Sequence, residues 1–329
     1  MVPHQAVRAR LATAVLVAVT LSAGCTTAKR KKQEAIYGPT ESVIEVIAVL
    51  RRHISDDTYR FPPPTDFTGR NVYRASLLRL ENMEHLHAGH LRAGHLDASV
   101  AFAKGRALER LRGYDLAAQH YRSAATREGV LQEPARQAAV FCDDLHRATA
   151  LGPDLVDPLS AEAALPLDAE AAVAGWDERE RRLTDLLDRA GKKVPVHYGF
   201  IVKEEIERTD VARARYFAAL RHALPGGQVR AIAEAQRVIM RHAASKEYNR
   251  HVIDLADLYA DLAEEYVEAN PPHSLRFDPP SFHELVESAS RLYQTVASRD
   301  GSPEKLEAAR RFEAFLAFTL QVDSDRFSQ

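Results

Sequence analysis

The chain has 329 residues, 44 Lys and Arg against 46 Asp and Glu, and a formal net charge of −2. Balanced charge argues against nucleic acid as the main partner, and two cysteines exclude a fold held by a disulfide framework. Glycines number only 15, and the long segments are rich in Ala, Leu, Arg and Glu, which favour helix. With no run of alternating strand pattern, these features predict an all-α protein.

In chain order, Arg8 and Arg10 precede an uncharged apolar run from Leu11 to Ala23, and Leu21-Ser22-Ala23-Gly24-Cys25 closes it. A basic flank, a short apolar core and small residues form the order of a secretory signal. The run is shorter than the roughly 20 apolar residues that span a bilayer. Polar residues from Thr26 to Lys32 prevent its extension. This segment resembles the lipobox of bacterial lipoproteins, with Ser22 where that family favours Leu. The resemblance implies a signal peptide over 1–24, cleavage between Gly24 and Cys25, diacylglycerol on the Cys25 thiol and acylation of the new amino group. It thus implies membrane attachment through an acyl anchor, with no cofactor besides this lipid. Thr26 in place of Asp implies the outer membrane, facing the periplasm. The other reading is an ordinary signal peptide that leaves Cys25 a free thiol. Residues 25–39 read as a lipidated tether. Its Lys29–Lys32 cluster is either a solvated linker or a contact with anionic headgroups, worth about 1 kcal/mol per charge.

Residues 40–150 read as an N-terminal helical region. A first helix is expected over about Thr40–Ser55, then a loop at Asp56–Arg70 carrying Pro62-Pro63-Pro64. A second helix is expected over about Asn71–His87. Gly89 and Gly94 then assign His85–His95 to a loop whose four histidines lack a completing Cys or carboxylate pair for a metal site. Gly105, Leu108, Ala117, Tyr121 and Ala124 follow at spacings that suit two antiparallel helices, small residues at the crossing and Tyr121 filling the gap. This pattern resembles a tetratricopeptide repeat, with Arg112-Gly113 as the turn, and implies a helical-hairpin repeat array. A helix at about Gln132–Ala150 carries Cys142 in an apolar stripe, the position of a buried, inert thiol.

Three prolines make 151–167 the expected linker between this region and a C-terminal helical region at 168–329. Its first helix, about Asp168–Ala190, is expected to bury Ala172, Val173, Trp176, Leu183, Leu187 and Ala190, with Glu178–Arg182 solvated. The next runs about Val196–Leu224. A helix at Gln228–Ala244 is expected to bury Val229, Ile232, Ala233 and Met240 and to turn Arg230, Arg237 and Arg241 to solvent. Tyr259, Leu262, Ala263 and Tyr266 again match a first repeat helix, with Ala289, Tyr293 and Val296 on its partner. Between them, Asn270–Pro280 contains four prolines with His273, Arg276 and Phe277. A stiff loop bearing an aromatic and an Arg is a docking surface of the kind that dominates interfaces. Alternatively Phe277 folds back as a plug. The last helix, about Pro303–Val322, carries Phe312, Phe315, Leu316, Phe318 and Leu320, more than one stripe, and is expected to be sandwiched in the core. In all, ten or eleven helices are expected.

No phosphate loop, His-Glu-x-x-His pair or nucleophile elbow is present, so no catalytic residue is assigned and the chain does not read as an enzyme. Three functions stay open. The first is a lipid-anchored scaffold that docks an envelope protein or peptide. The second is a module for a small ligand, polysaccharide or metal, and the third is a cell-wall-associated enzyme accessory.

Overall fold

The computed structural model describes residues 43–48, 71–93, 96–153, 168–192 and 197–327. The lipobox and Cys25, the tether, the Asp56–Arg70 loop, Gly94, His95 and most of the 151–167 linker lie outside the described residues. Eleven helices and no strand occur among the described residues, so the fold is all-α. They are α1 (43–48), α2 (Val72–Ala93), α3 (Asp97–Arg110), α4 (Tyr114–Ala124), α5 (Gln132–Thr149), α6 (Ala169–Arg189), α7 (His197–Ala219), α8 (Gly227–Arg241), α9 (Tyr248–Ala269), α10 (Pro279–Ala297) and α11 (Lys305–Phe327).

From α2 onward, consecutive helices pack on one another along the chain. The α3–α4 hairpin shows why. Gly105 faces the ring of Tyr121 so closely that an added Cβ would lie 2.7–2.8 Å from three ring atoms. Leu108, Ala117, Tyr121 and Ala124 are all buried, as their spacing required. Phe102 meets Tyr121 edge-on at 5.1 Å between ring centroids. In the turn, Arg112 takes the left-handed conformation (φ 64°) rather than the adjacent glycine.

Alternate helices also touch through their side chains. Contacts of α7 and the turn after it with α9 advance along both together, from Glu207–His251 through Arg215–Asp254 to Arg221–Glu265. The two helices therefore run parallel, with α8 returning between them. The same holds for α9 and α11, joined by Arg250–Glu307 and Arg311–Asp257. Parallel helices at alternate positions are the arrangement of stacked helical hairpins.

Several sequence expectations are corrected. The segment His85–Ala93 is not a loop but the end of α2, which continues past a kink at His87 (φ −130°, ψ 22°). Leu91 is buried, and that burial outweighs the roughly 1 kcal/mol a helical glycine costs at Gly89. Leu186, rather than Leu187, is buried in α6, and Arg179, expected in solvent, is fully buried. The apolar stripe expected inside α8 is turned outward: Val229 and Met240 are 75% and 72% exposed. Ala231, Glu234 and Val238 are buried instead. The last helix is not sandwiched. Phe315 and Val322 are buried, Phe312 and Phe318 pack beside them, and Leu306, Leu316 and Leu320 are exposed.

The linker does not separate two cores. One buried cluster holds Leu108, Tyr114, Tyr121, Phe141 and Leu145 together with Leu183, Leu186, Tyr198 and Ile201 from beyond it. Gly152 and Gly175 touch at the linker's start, and Trp176 donates its indole N–H to the Pro153 carbonyl at 2.9 Å.

Candidate functional site

Buried charge is concentrated where α3, α6 and α7 meet. Glu205 is fully buried, and its carboxylate accepts from Arg112 Nε at 2.8 Å, Tyr114 Oη at 2.8 Å and Arg208 at 2.7 Å. Arg179, equally buried, donates to it at 3.3 Å. Burial alone would raise its pKa, but Arg208 and Arg112 outweigh that and hold it near 2. Beside it Glu109 is opposed by burial yet held near 2 by Arg106 and His197, and it accepts from Tyr121 Oη at 2.7 Å. Cys142 is a free buried thiol 4.0 Å from the Glu109 carboxylate; burial pushes its pKa up, so it is inert toward nucleophilic chemistry. These groups satisfy one another inside the core and hold α7 against the N-terminal hairpin.

The groove between the parallel helices α7 and α9 has a different character. It is open to solvent, with a volume of about 270 Å³. One wall is Val211, Ala214, Arg215 and Ala218 of α7, at the spacing of one helix face, with Arg221 added from the turn that follows. Small residues at Ala214 and Ala218 keep α7 from filling the gap. The α9 wall is His251, Asp254, Asp257, Leu258 and Asp261, and Ala235 and Val238 of α8 form the floor. The groove is thus apolar at its base, with Arg on one rim and Asp on the other.

The rim charges are not equally compensated. Arg221 pairs with Glu265 and donates to the Ala218 carbonyl at 2.7 Å. Arg215 lies 3.8 Å from Asp254. Asp257 accepts from Tyr293 Oη at 2.6 Å and pairs with Arg311. Asp261 makes no hydrogen bond or ion pair among the described residues. Burial raises the pKa of Asp257 and Asp261: at Asp257 it prevails over Tyr293 and Arg311, with Asp254 and Asp261 adding to it, and at Asp261 it prevails over Arg221, with Glu265 adding to it.

A second depression, about 330 Å³, lies between α6, α7 and α8. Its polar groups serve one another: Arg213 bridges Asp177 and Glu234, while Arg230 lies over the Phe217 ring at 4.6 Å. Arg237 and Arg241, expected in solvent, reach Asp210 at 2.6 and 3.1 Å.

The docking residues expected on the Asn270–Pro280 loop are split. His273 and Arg276 are exposed, as is Leu275. Phe277 is 9% exposed and packs against Tyr266 and Phe282 at 5.7 and 5.5 Å, the placement expected of a plug. Tyr266 pins the loop further, its hydroxyl accepting from the Asp278 amide at 2.8 Å. The described histidines of α2, His85, His87 and His90, lie on the helix. No group of three or more potential metal ligands occurs among the described residues.

Sequence reasoning missed the groove, because its two walls lie some forty residues apart and neither carries a motif. The one available signal was Asp254, Asp257 and Asp261 at helical spacing on the same helix as the apolar run Val252, Ile253, Leu255, Ala256 and Leu258. Comparison with protein-family models, curated proteins and solved structures gives no match for this chain.

Proposed function

We propose that the chain is a lipid-anchored scaffold of the bacterial cell envelope, held at the outer membrane through Cys25, whose helical body docks a protein or peptide partner. The observation that carries the docking role is the α7–α9 groove, an open cleft with an apolar base and charged rims between two parallel helices. Apolar clefts with a few placed polar groups are the common form of binding site. Exposed His273 and Arg276, just past the end of α9, extend the surface, while Phe277 holds their loop in place. The lipid anchor rests on the residue order ending at Cys25.

A photocrosslinking amino acid at position 218, read in intact cells, tests the docking role. A discrete crosslinked band is expected, and it should vanish when Ala214→Trp fills the groove without lowering the melting temperature. A band pattern indifferent to the filled groove overturns this reading. Intact mass of the membrane fraction tests the anchor: loss of Met1–Gly24 with added acyl mass is expected, and soluble protein starting at another residue refutes it.

A further inference from the structure

The charge balance of the groove says what it accepts. Its cations are already engaged within the fold: Arg221 by Glu265 and the Ala218 carbonyl, Arg215 beside Asp254. An anionic partner would have to displace Glu265. Of its carboxylates, Asp257 is held by Tyr293 and Arg311, whereas Asp261 makes no hydrogen bond or ion pair among the described residues and has only the charge of Arg221, itself engaged by Glu265, nearby; exposed Glu264 and Glu268 continue the acidic side of α9. A cation entering here meets an unpaired carboxylate at the edge of an apolar floor and relieves repulsion among its neighbours.

We propose that the groove takes a basic peptide segment, in which a Lys or Arg side chain reaches Asp261 while an adjacent apolar side chain lies on Ala214, Ala218, Val238 and Leu258. This rests on the docking role above and names the partner's chemistry. The volume, about 270 Å³, falls just below the roughly 300–1,000 Å³ of small-molecule pockets. That suits a short extended stretch of chain.

The test uses the full chain, purified in detergent, and three fluorescein-labelled pentapeptides followed by anisotropy: Lys-Leu-Lys-Leu-Lys, Glu-Leu-Glu-Leu-Glu and Gln-Leu-Gln-Leu-Gln. The basic peptide is expected to bind at least about tenfold more tightly than the others, the scale of one charge-assisted contact. Asp261→Asn should weaken it by about tenfold, with the melting temperature unchanged or raised because a repelling carboxylate is gone. Ala214→Trp should abolish binding. Equal binding of the three peptides, no binding of any, or indifference to Asp261→Asn overturns the inference. Tighter binding of the acidic peptide, lost in Ala214→Trp, would leave the groove as the docking site and remove only its preference for cations. If no peptide binds and the crosslink at position 218 also ignores the filled groove, both readings fall.

Discussion

Single residues set how the helices can approach. Gly105 is the tightest case: Tyr121 beneath it is fully buried, and its hydroxyl is committed to Glu109 at 2.7 Å. The ring cannot retreat. Overpacking costs about 1–3 kcal/mol, against at most about 1 kcal/mol of helix propensity gained. Gly105→Ala should therefore destabilise the protein by about 1–2 kcal/mol, read as a lowered urea midpoint; an unchanged or raised midpoint would show that the contact is loose. Glu205 is the centre of the ionic core. Its replacement by Gln leaves Arg112, Arg179 and Arg208 facing a neutral group, and breaking a buried pair costs about 3–5 kcal/mol. The pH dependence has a definite sign. With a folded pKa near 2 against an ordinary 4.5, Glu205 stabilises the fold above about pH 4.5 and loses that contribution as pH falls toward 2. Thermal melts between pH 5 and 2.5 should drop steeply for the wild type and less steeply for Glu205→Gln; parallel slopes would refute the assignment.

At the scale of the helix, α8 shows where a sequence pattern informs and where it misleads. Its apolar periodicity correctly marked a helix, yet Val229 and Met240 face outward while Glu234 is buried with Ala231 and Val238 and Arg237 is half-buried. The reason lies on other helices: Asp210 and Arg213 of α7 meet Arg237 and Glu234, so the polar face finds partners in the core. Such partners are far apart in sequence and leave no local signal. Where packing is decided within one hairpin, as at Gly105, Ala117 and Tyr121 or Ala289, Tyr293 and Val296, the spacing alone located the buried residues. Outward placement has a measurable consequence. Val229→Ser and Met240→Gln should each shift stability by less than about 0.5 kcal/mol, as surface changes do. Val238→Ala, on the buried face, should cost about 1–3 kcal/mol. Large losses at Val229 or Met240 would mean that the stripe is covered.

For the whole molecule, the question is whether the break near 151–167 separates two domains or interrupts one array. Composition alone favours separation, since three prolines and the Gly152-Pro153 and Asp157-Pro158 breaks are what a linker contains. The contacts across it argue otherwise. Tyr198 lies on Phe141 at 4.2 Å between ring centroids, and Leu183 and Leu186 complete the cluster around Tyr121 and Leu145. Arg110 and Arg112 have their carboxylates, Glu204 and Glu205, on α7. A fragment ending at residue 150 would expose that apolar surface and leave both arginines without these carboxylates. Conversely, Glu205 in a fragment starting at 168 would keep Arg179 and Arg208 but lose Arg112 and Tyr114. Each half keeps a cluster of its own, around Leu80 and Val100 on one side and around Trp176, Ile253 and Phe282 on the other, but the cluster that joins them is opened in both. Fragments 40–150 and 168–329, produced separately, should each show less helix by circular dichroism than their share of the intact chain and melt broadly. Mixing them should restore helicity and a cooperative transition, because the interface that stabilises each is supplied by the other. Two fragments that melt sharply alone, and whose spectra add up to that of the intact chain, would establish independent domains instead.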